Sequence, residues 1–150
     1  MLPDAPATER VGMDFDAVRR LMENDRFAVE SGVKLLEVVE GYAKVSLDVT
    51  PHHLNGVGVV QGGAIFTLAD LAFAAAVNSH GTVAVAINVS ITFIKAVTGG
   101  TIFAEAREIS QSARLASCLV QVTDAGGALV ATFQGLAYRK KELVADVVGK

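Results

Sequence analysis

The sequence predicts a single domain of the α+β class, in which a mostly antiparallel sheet wraps around one apolar helix. Its length of 150 residues is that of one common domain. Residues 64–77 are apolar on nearly every side, a pattern typical of a buried helix. Four β-rich segments separated by short turn sequences follow, which favours neighbouring antiparallel strands.

The first predicted elements are a short amphipathic helix and a β-hairpin. Apolar residues recur at helical spacing over residues 14–24, and residues 26–33 are interpreted as a connection leading out of the helix. A turn at Glu40-Gly41 then joins two strands. Over residues 42–49 apolar and polar side chains alternate, so we expect one face of the second strand to be exposed to water.

The later strands are predicted at residues 82–96, 101–109, 114–123 and 128–139. The single cysteine, Cys118, falls within one of them and is expected to be a buried small apolar residue. The basic run at residues 139–141 is interpreted as a solvated strand end.

Composition excludes several classes of function. The net charge of −3, with both signs interspersed, provides no electrostatic footprint for nucleic acid. No apolar run approaches the roughly 20 residues of a membrane span, and the acidic start does not resemble a secretory signal, so we expect a cytoplasmic protein. The three histidines, His52, His53 and His80, lack metal-ligand spacing, so no metal is expected.

Asp70 is an acidic residue within the apolar helix. Burial of an unpaired carboxylate costs several kcal/mol as an order of magnitude, so such a group is usually paired, protonated or used in chemistry. Two interpretations stay open. Asp70 is either a functional carboxylate or a structural one. A structural Asp70 would face a partner helix across a symmetric interface, capped by backbone or hydroxyl donors, or the helix would start later than residue 64.

The start of the same helix carries Gln61, Gly62 and Gly63. Glycines here let a ligand approach the backbone, and the first amides of a helix stabilise a negatively charged oxygen. Asp70 lies two turns further on, about 12 Å along the axis, so one reacting carbon does not easily contact both groups in one chain. An antiparallel homodimer would bring Asp70 beside Gly62 of the partner subunit. The glycine pair alone is weak evidence, since most such pairs permit close packing.

The stretch from residue 54 to residue 81 closely resembles the PaaI-like branch of the hotdog-fold acyl-CoA thioesterases. The resemblance rests on a pattern that spans the helix and the loop before it. The matching residues are Asn55, Gly58, Gly62, Gly63, Phe66, Leu68, Ala69, Asp70, Ala72, Phe73, Ala74, Ala76, Asn78, Ser79 and Gly81.

The resemblance implies a hotdog domain over residues 30–140, after an N-terminal extension with a short helix (1–29) and before a C-terminal tail (141–150). It implies hydrolysis of an acyl-CoA thioester with no cofactor besides the coenzyme A of the substrate, by homodimers that pair into homotetramers. Asp70 would be the nucleophile or general base. The Gly62 amide would polarise the thioester carbonyl, and Asn55 would hold that carbonyl or the attacking water.

One residue departs from the pattern: the family's histidine before the glycine pair is Gln61 here. Glutamine exchanges hydrogen bonds but transfers no proton near neutral pH. A non-catalytic hotdog protein that binds acyl-CoA as a sensor or carrier therefore remains the alternative. A hotdog dehydratase is disfavoured, because its usual histidine is missing from the motif.

Further substrate-binding candidates are Gln61 and Gly63 beside the carbonyl site, and residues outside it. Thr67 precedes Asp70 by one turn, although a threonine that bonds its own helix backbone is at least as expected. Asn88 on the long strand is a candidate near the acyl site. Lys95 and Arg114 are candidates for the coenzyme A phosphates, with solvated sheet ends as the alternative.

Overall fold

The computed structural model describes residues 14–149, and the part of the predicted N-terminal extension before residue 14 lies outside them. The predicted α+β architecture is confirmed. The helices are α1 (Phe15–Glu23), α2 (Arg26–Glu30), α3 (Gly62–Asn78) and α4 (Val144–Val148). The strands are β1 (Val33–Val39), β2 (Tyr42–Asp48), β3 (Thr82–Phe93), β4 (Thr101–Gln111), β5 (Leu115–Asp124) and β6 (Leu129–Leu143).

In the described residues, the strands form one six-stranded antiparallel sheet in the order β1-β2-β4-β5-β6-β3. Helix α3 packs against β2, β4 and β5. Alternate residues such as Val45, Ala104 and Val120 are buried in the core that includes α3. Strands β1 and β3 form the two edges of the sheet.

A close approach between α3 and β6 sets the distance between helix and sheet. A Cβ atom at Gly135 would lie 2.7 Å from the ring of Phe73. The helix therefore packs this close to β6 only because Gly135 has no side chain. The Phe133 ring packs beside it, with ring centroids 5.7 Å from Phe73 and 5.6 Å from Phe66. This cluster fixes α3 against the sheet.

The carboxyl end of α3 is held by a buried charged cluster. His80 Nε2 lies 2.8 Å from Glu108 Oε1, and Arg139 donates to Glu108 Oε2 at 3.4 Å and to the carbonyl of Val77 at 3.4 Å. Arg139 is only 6% exposed, so the prediction of a solvated end is wrong at this residue. Its guanidinium points inward because helix and strand both offer it acceptors.

Three other expectations need correction. Residues 26–30 form the short helix α2 instead of a plain connection, with the Asp25 carboxylate accepting from the Ala28 amide as its N-cap. The polar face of β2 is only partly exposed to water: Tyr42 and Ser46 are buried, while Lys44 is half-buried and Asp48 is exposed. The Arg107 side chain lies over the Tyr42 ring and helps to cover this face. At the other end, β6 continues to residue 143, and α4 follows with Val144 buried.

Other expectations are confirmed. Helix α1 and the hairpin of β1 and β2 lie where the sequence predicts them. Cys118 is fully buried, and this burial raises the pKa of its thiol. Within residues 14–149, no helix combines the length and apolar character that crossing a membrane requires.

Candidate active site

The amino end of α3 leaves one backbone amide free. Gln61 is the N-cap, and its side-chain oxygen accepts a hydrogen bond from the Gly63 amide. The Ala64 amide donates to the Gln61 carbonyl at 2.9 Å. Within residues 14–149, the Gly62 amide has no acceptor. The positive end of the helix dipole therefore presents a free N–H at Gly62, the arrangement that stabilises a negatively charged oxygen.

The absence of a side chain at Gly62 also allows a close contact with β3. A Cβ atom there would lie 3.0 Å from the ring of Phe93, at the end of β3. The two residues line a cavity of about 300 Å³ that also reaches Lys95. The missing side chain lets the Phe93 ring approach the start of the helix.

Asp70 lies on the one face of α3 that the chain leaves partly open. Gly63, Thr67 and Ala74 share this face, while the rest of the helix is largely buried. The expectation that α3 is surrounded on all sides is therefore wrong for the single chain. The Asp70 carboxylate is half-buried and makes no hydrogen bond or ion pair with a described residue. Burial, and next the nearby Asp25 carboxylate, raise the pKa of Asp70 above its usual range.

Asn55 stabilises the loop before α3. Its Oδ1 atom accepts from the Val57 amide at 3.0 Å and from the Val59 amide at 3.2 Å. Its backbone amide donates to the Val59 carbonyl at 2.8 Å. The Oδ1 atom therefore already accepts hydrogen bonds from the loop. The predicted contact with substrate or water would have to be made by the Nδ2 group.

Thr67 hydrogen-bonds its own helix, the alternative that the sequence left open. Its hydroxyl donates to the Gly63 carbonyl at 2.7 Å. Gln61, Gly63 and Thr67 all line an open cleft of about 640 Å³ between α3 and α2. The cleft lies within the usual volume range of small-molecule sites, about 300–1,000 Å³.

The remaining candidates do not gather at one place. Lys95 forms an ion pair with Asp124 near the start of α3. Arg114 donates to the hydroxyl of Tyr138 at 2.8 Å, at the opposite end of the sheet, so the two cations do not share a site within one chain. Asn88 is exposed and lines a separate cavity with Ser90 and Gln134 on the sheet.

Two residues near the site were missed by sequence reasoning: Asp25 and Phe27 of the α2 segment. Asp25 acts on the Asp70 carboxylate, and Phe27 lines the cleft beside Gly63 and Thr67. Their five-residue helix is too short for periodicity to reveal it. The one usable signal was Asp25 itself, an N-cap residue type directly before residues 26–30. In the described residues, no three His, Cys, Asp or Glu side chains gather as a metal site.

Comparison with known proteins decides the family. Residues 57–131, half of the chain, match the thioesterase superfamily. The acyl-coenzyme A thioesterase PaaI of Escherichia coli is 35% identical over 120 residues, covering 79% of this chain and 86% of the relative. The chain belongs to the thioesterase superfamily. It is a PaaI-like thioester hydrolase of the hotdog fold.

Other similarities agree with this assignment. A protein of Archaeoglobus fulgidus is 44% identical over 123 residues, covering 81% of this chain and 80% of that protein. The structure of Escherichia coli PaaI superposes with a TM-score of 0.83 at 32% identity, over 86% of this chain and 94% of that one. A Streptococcus mutans protein bound to acetyl CoA has a TM-score of 0.71 at 25% identity, over 74% and 90% of the two chains.

Proposed function

We propose that this enzyme hydrolyses an acyl- or aryl-acyl-CoA thioester to the free acid and coenzyme A, with Asp70 as the catalytic carboxylate. One observation carries the proposal: α3 presents both an unpaired, half-buried carboxylate and, at its amino end, a free amide at Gly62. An anionic group and an oxyanion donor are the two parts that acyl transfer needs. The name of the Escherichia coli relative and the acetyl CoA bound to the Streptococcus mutans protein support a coenzyme A thioester.

The reaction needs Asp70 in its ionised form. The carboxylate either attacks the thioester carbon to form a mixed anhydride that water then hydrolyses, or removes a proton from a water that attacks the carbon directly. In both routes a carbon–oxygen bond forms, the carbon–sulfur bond breaks, and the coenzyme A thiolate leaves. Negative charge on the carbonyl oxygen is held by the Gly62 amide. Since a thiolate is a good leaving group, no general acid is required at the position of Gln61.

The site is proposed to form across a homodimer. Within one chain, Asp70 lies eight residues beyond Gly62, about 12 Å along the helix axis, so one thioester does not contact both. The open edge strand β3 carries exposed apolar side chains, including Val85 at 45% and Ile87 at 56%, which favours pairing with a second copy. Antiparallel packing of two α3 helices would bring Asp70 to Gly62 of the partner subunit. Pairs of such dimers would form the homotetramer.

The other binding roles have unequal support. Lys95 lines the same cavity as Gly62, so we propose it for a coenzyme A phosphate once its pair with Asp124 opens. Arg114 reaches a substrate at this end of α3 only from the partner subunit. Asn88 has no support from its position in the single chain.

Release of free thiol from a panel of acyl-CoAs tests the function. The wild type, Asp70→Asn and the control Asp16→Asn, which alters an exposed acid on α1, are assayed side by side. We expect turnover in the wild type and the control, and loss of about 10³-fold or more in Asp70→Asn. Turnover unchanged in Asp70→Asn would contradict the mechanism. Saturable binding without turnover in the wild type would instead support the acyl-CoA-binding alternative.

A further inference from the structure

Phe27 is a large apolar side chain that the chain leaves 71% exposed beside the candidate active site. It belongs to α2 and lines the cleft of about 640 Å³ whose other wall includes Gly63, Ala64 and Thr67 of α3. Asp70 follows Thr67 on the same helix face by three residues. An exposed aromatic ring at the rim of a concave site is a ready contact for an apolar ligand group.

The segment that carries Phe27 is held in place from both ends. At its start, Asp25 accepts a hydrogen bond from the Ala28 amide at 3.0 Å. At its end, the His53 ring bridges two backbone groups: Nδ1 accepts from the Thr50 amide at 2.9 Å, and Nε2 lies 2.6 Å from the Ser31 carbonyl. Since a backbone amide only donates, Nδ1 is the acceptor and Nε2 carries the proton. The loop before α3 thus anchors α2, and the backbone that carries Phe27 is preorganised.

The part of the cleft that this chain lines disfavours a negatively charged acyl group. Among the described residues that line it, Glu30 is the one with a permanent charge; the others are Phe27, Ser31, His52, His53, Leu54, Gln61, Gly63, Ala64 and Thr67. A carboxylate inside the cleft would meet no Lys or Arg of this lining, while Glu30 and the nearby Asp70 and Asp25 would repel it.

We propose that Phe27 is a specificity-determining residue, which contacts the acyl group in this cleft and makes the enzyme select uncharged apolar acyl groups long enough to reach it. The proposal rests on the proposed function and assigns the cleft to the acyl part of the thioester. An acetyl group is too short to gain from the contact. An acyl group that ends in a carboxylate is disfavoured because the part of the cleft that this chain lines holds no Lys or Arg to offset its desolvation.

The test compares kcat/KM for acetyl-, hexanoyl-, benzoyl- and glutaryl-CoA in the wild type, Phe27→Ala and the control Val29→Ala. Val29 is exposed on the same helix and lines a different cavity. Val29→Ala therefore also removes an exposed apolar side chain from α2, but it leaves the lining of this cleft unchanged. In Phe27→Ala we expect kcat/KM to fall about tenfold for hexanoyl- and benzoyl-CoA and less than about twofold for acetyl-CoA. Val29→Ala should leave the ranking unchanged, and the wild type should discriminate against glutaryl-CoA.

Three results would overturn the assignment: no loss of kcat/KM for any acyl group, an equal fold loss for every acyl group with the oligomeric state unchanged, or an equal fold loss together with a changed oligomeric state of Phe27→Ala. The last result would show that a second copy of the chain covers Phe27. The S-hexyl thioether of coenzyme A, which has no acyl carbon to hydrolyse, gives a binding readout that does not need catalysis. If the wild type hydrolyses no acyl-CoA, the proposed function fails, while weaker binding of this thioether by Phe27→Ala would still support the acyl cleft.

Discussion

The side-chain oxygen of Gln61 accepts the amide hydrogen of Gly63, two residues further along the chain, and thereby caps α3. This contact uses the second amide of the helix and leaves the first, at Gly62, free. Gln61 thus selects which N–H is available to a ligand. The residue that replaces the family histidine therefore has an evident structural role that involves no proton transfer.

Substitution of Gln61 should separate the stability of α3 from catalysis. Gln61→Glu keeps the acceptor for Gly63 and adds negative charge at the positive end of the helix dipole, so the melting temperature should be maintained or raised. The same charge opposes the developing oxyanion, and kcat should fall about tenfold or more. Gln61→Ala should instead lose about 1 kcal/mol of the free energy of unfolding, as a missing N-cap does. Thermal unfolding and thiol release measure the two effects, and equal kcat in Gln61→Glu would contradict an oxyanion site here.

The Gly62 amide can be removed without breaking the helix. Gly62 is the first helical residue, where proline is favoured, and the preceding Gln61 has the extended conformation that a following proline requires, with φ −64° and ψ 138°. We expect Gly62→Pro to lower kcat about 10²-fold to 10³-fold because it lacks the oxyanion donor. Gly62→Ala is the matched control: it places the same Cβ near Phe93 but keeps the amide.

The same variant tests whether the site is shared between subunits. The Asp70→Asn and Gly62→Pro variants are mixed in equal amounts, dissociated and allowed to reassociate. About a quarter of wild-type activity should then return, because half of the dimers contain one subunit of each variant and each of these dimers has one intact site. Either variant alone should stay inactive after the same treatment. Mixed dimers without activity would place Asp70 and Gly62 of one chain in the same site.

The pH dependence of the rate should report the raised pKa of Asp70. Activity requires the carboxylate, so kcat/KM should rise with pH through this pKa, which burial and the Asp25 charge place above the ordinary range. Asp25→Asn keeps the N-cap acceptor of α2 and removes the charge, so the acidic limb should move to lower pH. Asp16→Asn serves as the control for an acid on the surface. A pH profile identical in wild type and Asp25→Asn would show that the two carboxylates do not interact.

Because Gly135 contacts Phe73, the packing of α3 against the sheet should be sensitive to one added methyl group at this position. Gly135→Ala places Cβ 2.7 Å from the Phe73 ring, and overpacking of this kind typically costs about 1–3 kcal/mol of the free energy of unfolding. Gly99→Ala is the control, since its Cβ meets nothing within 4 Å. Denaturant unfolding measures both, and adding Phe73→Leu should recover part of the loss. An unchanged denaturant midpoint in Gly135→Ala would show that α3 moves away from the sheet to accommodate the methyl group without loss of stability.

Much of the fold could be predicted from local patterns. Helix α3 follows from an apolar run bounded by Gly62 and Asn78, and the strands follow from alternation and turn residues. The short helix α2 and the buried Arg139 could not be predicted in this way. A five-residue helix has too little periodicity, and the burial of a charged strand end depends on acceptors that come from other elements.

The candidate site likewise has features that the sequence predicts and features that only the fold creates. The sequence by itself determined that one helix carries an acid at Asp70 and a glycine pair at its start, because both are local to a single apolar segment. The tertiary structure alone decided that Asp70 faces an open side of the helix, that the Gly62 amide stays free, and that Phe27 and Asp25 lie beside them. The positions of Phe27 and Asp25 beside α3 join groups that are distant in the chain, so packing of the whole chain was needed to create them. The choice of the free amide depends on one side-chain rotamer of Gln61, which the sequence does not specify.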